Sequence, residues 1–228
     1  MTTTMPRRTP GSIITTAMTS DPQLVLHQLF SPAFPVGAFA WSHGLETAVQ
    51  EERVTTAAQL QDWLTDALEH GAGWSDAVLL SEAARGGDVA ALAELALAMA
   101  PSAERRREAQ EQGTALAATV SAVWGVTVQP APYPVAVGQA VAALELPLVP
   151  ALRLFLQAFA SNLAGAGVRL IPLGQTDGQR VVSALAPLCA ALAERAEVAG
   201  LDEIGGFAPA IDIASQRHDM LYSRLFRS

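Results

Sequence analysis

Apolar side chains recur every three or four residues along most of this chain, and alternating β-branched runs are scarce. A period near 3.6 makes helices with one apolar stripe, and such stripes are buried by packing helix on helix. The clearest case is TAAQLQDWLTDALEHG, residues 56–71. Leu60, Trp63, Leu64, Ala67 and Leu68 share one face, Thr56 with Gln59 reads as a capping box, and Gly71 reads as a stop. Ser75 is the expected cap of a second helix ending at Gly86-Gly87. Asp88 caps a third that Pro101 ends, and Ser102 caps a fourth that runs to Gly125. A short helix is expected over 135–144. A long one starts at Pro150, and another reaches from about Thr176 to Val198 with Pro187 inside it. The 200–210 stretch reads as a Gly/Pro loop and 211–228 as mixed. The sum is an all-α fold: a single irregular multi-helix globular domain of about eight to ten helices spanning 21–228, with residues 1–20 as a flexible Thr/Ser-rich extension.

Composition agrees with a helical core. Half of the 228 residues are hydrophobic, many of them alanine, and 16% are charged. Alanine favours helix and lets helix axes approach closely. The net charge of −8 argues against a nucleic-acid footprint, which needs clustered positive surface. There is no lysine, so every cation apart from histidine is an arginine fork suited to carboxylates or phosphates. The single cysteine, Cys189, excludes an intrachain disulfide and reads as a buried thiol among Leu188, Ala190 and Leu192. Leu146 to Pro150 is broken by prolines, and no apolar run reads as a membrane span. Arg7-Arg8 lacks the apolar segment of a twin-arginine signal, so the expected location is the cytoplasm.

Enzymatic signatures are missing from the pattern. His27, His43, His70 and His218 show no metal-ligand spacing, and no G-x-S-x-G elbow occurs. GQTDGQR, residues 174–180, resembles a phosphate-cradling loop. It lacks the Lys-Ser/Thr pair of a Walker A motif, and it reads either as an inter-helix turn capped by Thr176 or Asp177 or as a polar binding surface. SPAFPVGAFAWSHGLETAVQ, residues 31–50, reads as an aromatic-rich turn at a helix entry, with Ser42 as a possible cap. Arg105-Arg106-Arg107 lies early in its helix, against the macrodipole, and reads as a solvated face balanced by Glu104, Glu108 and Glu111. SRLFRS, residues 223–228, sets an apolar pair between arginines. Either it folds back on its own domain or it is held by another molecule.

Three stretches together resemble the UreF family of urease accessory proteins. "SPAFPVGAFAWSHGLE" is similar to the family's "SPALPVGGFSYSQGLE". "LIPLGQTDGQR" at 170–180 is similar to "LVPLGQTxGQR", and "SQRHDMLYSRLFRS" at 215–228 to "SxRHExxYSRLFRS". They occur in the family's order, and the resemblance spans roughly residues 24–228. Ala38 stands where a second glycine is usual, Asp219 replaces a common Glu, and His43 takes a position often Gln or Asn.

The resemblance implies an all-α homodimer that catalyses nothing and holds no stable cofactor. It implies assembly with the scaffold UreD (UreH in some organisms), the GTPase UreG and apo-urease, handling nickel transiently as cargo for the urease metallocentre. No nucleic-acid or membrane partner is implied. On that reading Gln175, Thr176, Gln179, Arg180, Arg217, His218, Tyr222, Arg224, Leu225, Phe226 and Arg227 form the partner-binding set. Gln175, Arg180, Arg217, Tyr222 and Arg224 would share one polar surface, and Pro35, Gly37, Phe39, Trp41 and His43 would line the dimer contact. Two alternatives are a GTPase regulator acting through Arg180 or Arg224, and a metallochaperone that binds nickel itself.

Overall fold

A nearly continuous apolar segment forms the hub around which the other helices pack. The computed structural model describes residues 21–228; the expected extension 1–20 lies outside the described residues. Within that range α4, Ala72–Ala84, buries residues around its whole circumference, from Gly73 and Trp74 to Leu80 and Ala83. A helix apolar all round belongs inside a core. It touches α3 (Ala57–Glu69), α5 (Val89–Met99), α7 (Tyr133–Ala143), α8 (Leu148–Leu170) and α9 (Gln175–Val198). The remaining helices are α1 (Pro22–Leu29), α2 (Leu45–Gln50), α6 (Ala103–Trp124) and α10 (Pro209–Arg217), and no strand occurs among the described residues. One apolar cluster runs from Val25 on α1 to Phe226 in the C-terminal tail.

Most ends form as the sequence dictates. Thr56 Oγ1 accepts from Gln59 N at 3.2 Å, while Gln59 Oε1 accepts from Thr55 N at 2.9 Å. Asp88 caps α5, Ser102 Oγ accepts from Arg105 N at 3.2 Å, and Gly125 ends α6 in the left-handed region. Three ends differ. Ser75 is an interior residue of α4, which begins directly after Gly71. A Cβ on Gly73 would run into the Leu68 backbone, so these glycines allow α3 and α4 to meet with almost no loop between them. Thr176 and Asp177 lie within α9, whose N-cap is Gly174. Pro150 sits in the first turn of α8, where a missing N–H costs nothing.

The helix α8 also corrects the membrane reading, since its 23 residues are long and apolar enough by composition to cross a bilayer. In this fold the helix spends its apolar face on α9, α4, α3, α2 and α1.

Close approach fixes the α4–α7 pair. A Cβ on Gly138 would collide with the Leu80 carbonyl and the Ala83 side chain. At the turn into α2, His43 (φ 54) and Gly44 (φ 78) are successive left-handed residues, and α10 seats its Ala214–Ser215 backbone against Gly44. At Gly37-Ala38 the positive φ of 76 falls on Gly37, while Ala38 enters a 3-10 turn. The alanine is therefore accommodated without strain.

Candidate functional site

Residues 217–228 turn back over the 38–50 segment. The chain bends at Leu225–Phe226. That bend lets the Leu225 N–H donate to Glu46 Oε1 at 2.7 Å and the Phe226 N–H to Glu46 Oε2 at 2.9 Å. Glu46, in the first turn of α2, is 2% exposed. Further along, Arg227 N donates to the Ala40 carbonyl at 2.8 Å and Ser42 N to the Ser228 carbonyl at 2.7 Å. The Ser42 hydroxyl donates to that carbonyl as well and accepts from Glu46 N at 3.3 Å. Gln50 donates to the Ser223 carbonyl at 3.1 Å.

The fully buried His218 ring stands between two carboxylates, with Nε2 3.0 Å from Glu46 Oε2 and Nδ1 2.8 Å from Glu104 Oε2. The two acids lie on opposite sides of the ring, so they hold it in place and do not converge on one point. Arg224 pairs with Glu104 at 2.8 Å, Arg217 with Glu51 at 3.0 Å and Arg227 with Glu111 at 2.9 Å. Arginines also cover aromatics: Arg227 lies 4.5 Å above the Trp41 ring and Arg169 4.4 Å above Phe226. Arg169 additionally donates to the Phe39 carbonyl at 2.9 Å.

A second polar network lies deeper. Arg105 is buried, contrary to the expected solvated face, because α6 turns it inward onto Glu108 and His43. Burial, reinforced by the Arg105 cation, lowers the His43 pKa. The neutral ring can then accept from Arg105 Nη1 at 2.6 Å. Burial acts to raise the Glu108 pKa, but the Arg105 guanidinium opposes it and the result lies below the ordinary value. Two adjoining cavities of about 120 and 80 Å³ share His43, Asp76 and Arg105 along their walls. Burial raises Asp76 to about 7, with Arg105 opposing. Burial, with the charges of Asp76 and Glu108, also pushes the Tyr133 hydroxyl up. Cys189 is buried, and its thiol is raised to about 11.

The structure divides the expected site residues into two sets. Tyr222 and Leu225 face out, Leu225 with 63% exposure, and the Arg217, Arg224 and Arg227 side chains are partly exposed. Phe226 and His218 are interior; their surface is spent on this chain, so neither can fill a partner's pocket in this conformation. The same holds for Trp41, 2% exposed, and His43, while Pro35 and Phe39 are exposed and Gly37 is half-buried. Gln175, Thr176, Gln179 and Arg180 are exposed on the first turns of α9. Among the described residues no hydrogen bond or ion pair joins them to the tail, and Arg180 pairs with Asp177 at 2.8 Å. The single polar surface expected from Gln175 to Arg224 therefore separates into two. Glu46, Glu104 and Arg169, which organise the tail, had no signal of their own in the sequence beyond Glu46 closing the "SHGLE" stretch.

Fold and site thus define an all-α protein whose C-terminal segment is bonded into its own core and displays part of itself outward. The comparisons narrow this. The UreF family model matches residues 54–186. A urease accessory protein UreF of Cereibacter sphaeroides (strain KD131 / KCTC 12085) is 52% identical over 205 residues, 90% of this chain and 98% of its own length. Those of Roseobacter denitrificans and Paracoccus denitrificans are 46% and 47% identical, over 92% and 94% of this chain and 96% and 100% of their own lengths. The chain belongs to the UreF family of urease accessory proteins.

Proposed function

We propose that this chain is a non-catalytic, cytoplasmic adaptor, working as a homodimer. It assembles with UreD (or UreH), the GTPase UreG and apo-urease so that nickel is delivered to the urease metallocentre. The observation that carries the reading is the pinned tail. Tyr222 and Leu225 are turned outward beside Arg224 and Arg227, although Phe226 between them is buried. Aromatic side chains and arginines are the usual energetic centres of an interface, and Leu225 adds apolar area beside them. The family supports the accessory role, and the paired interior acids and bases are employed in holding the fold. For the dimer contact, exposed Pro35 and Phe39 are the available side chains.

Deleting 217–228 would remove buried His218 and Phe226 together with the exposed residues, so point changes make the sharper test. Leu225→Asp and Tyr222→Ala, in co-expression with the other accessory proteins, are expected to reduce capture of UreD/UreH at least tenfold with helicity unchanged. Undiminished capture would refute the reading.

A second reading, regulation of GTP hydrolysis, draws on Arg180, whose exposed side chain projects from α9 and pairs with the neighbouring Asp177. Arginine can stabilise a transferring phosphoryl group. Single-turnover hydrolysis by UreG with the Arg180→Ala chain decides between them: a thousandfold stimulation lost in the variant favours the regulator.

A further inference from the structure

We infer that Glu46 is a positioning residue for the tail: its buried carboxylate clamps the peptide backbone at Leu225 and Phe226 and so sets which tail side chains face a partner. The inference rests on the tail-docking reading above and adds the residue that makes it work. Two successive amide N–H groups reach the two oxygens of one carboxylate, at 2.7 and 2.9 Å. Successive N–H groups converge on one anion where the backbone bends into a concavity. The bend at 225–226 is that concavity, and it sends Phe226 inward and Leu225 outward. The carboxylate is itself held, with the His218 ring 3.0 Å from Oε2. His218 opens the same C-terminal segment, so one end of that segment holds the acid and the other end is held by it.

The geometry requires an acceptor at both oxygens of the Glu46 carboxylate. An amide of equal volume offers one oxygen, and its NH₂ would face one of the two N–H donors. An anionic acceptor also makes stronger bonds than a neutral one. The exposed pairs Arg217–Glu51 and Arg227–Glu111 are screened by solvent and hold the tail far less firmly.

The test is Glu46→Gln in the full chain, read by amide hydrogen exchange and by capture of co-expressed UreD/UreH. Exchange at Leu225 and Phe226 is expected to rise at least tenfold while α4 and α8 amides stay protected, and capture to fall at least tenfold. Adding Glu46→Gln to a Leu225→Asp chain is expected to cost no further capture, since both act through the tail. If the Glu46→Gln chain exchanges globally, Leu225→Pro removes one N–H donor without touching the buried acid, and it is expected to raise Phe226 exchange likewise. Tail amides as protected as before would overturn the clamp whatever capture does. A freed tail with undiminished capture would instead overturn the docking reading and, with it, the partner-presenting role assigned to Glu46.

Discussion

The Phe226 N–H donates to Glu46 Oε2 at 2.9 Å across 180 positions of sequence. This bond joins the first and last of the three stretches by which the chain resembles its family. The interior ring beside it and the outward Leu225 before it make the tail both core and surface. Buried and exposed tail substitutions should therefore separate stability from binding.

Phe226→Ala removes a side chain 4% exposed, packed under the Arg169 guanidinium. Loss of a buried phenyl ring costs about 3 kcal/mol. Urea unfolding is expected to show that loss for Phe226→Ala, and a change below about 0.5 kcal/mol for the exposed Leu225→Ala. Equal costs would mean that Phe226 is not anchored as described.

Asp76 gives the fold a pH dependence near neutrality. Its folded pKa, about 7, lies above its ordinary 3.8, so the fold favours the protonated acid. That contribution is complete below the ordinary value and is lost as pH rises through 7. Asp76→Asn stays neutral. Its stability relative to the parent chain is expected to increase from pH 5 to pH 8 in thermal melts, and a flat difference would contradict the shift.

Arg105→Ala leaves Glu108 and His43 buried without their cation. Removing one partner of a buried pair costs about 3–5 kcal/mol. The triple change Arg105→Met, Glu108→Leu, His43→Leu removes all three charged or polar partners, and it is expected to recover at least half of that loss in chemical unfolding.

Gly138→Ala forces a methyl group toward the Leu80 carbonyl where α7 meets α4. Overpacking costs about 1–3 kcal/mol, against a helix-propensity gain of up to about 1 kcal/mol. The expected result is a lower Tm. An increase would show that the two helices separate freely.

Local features were legible where local physics decides them. The Thr56, Asp88 and Ser102 caps and the Gly125 stop depend on neighbours within a turn, and all four stand in the structure. The start of α4 is not legible in the sequence because Gly71 and Gly73 serve close packing against α3, which is a tertiary demand. Arg105 reads as surface in the sequence because charge alone does not reveal that Glu108, one turn on, and His43, on another segment, await it inside. The tail was legible as an oddity, two arginines around Leu-Phe, but no spacing rule connects residue 46 to residues 225 and 226. Phe226 and Leu225 differ in fate because the backbone bends between them, and that bend is set by the distant carboxylate.

The clamp also has a timing. A ribosome releases Glu46 some 180 residues before Phe226, an interval of roughly 10–40 s at typical elongation rates. Throughout that wait the acid has neither of its two amide partners. On the docking function proposed above, this chain becomes recruitable only once its last residues have left the ribosome.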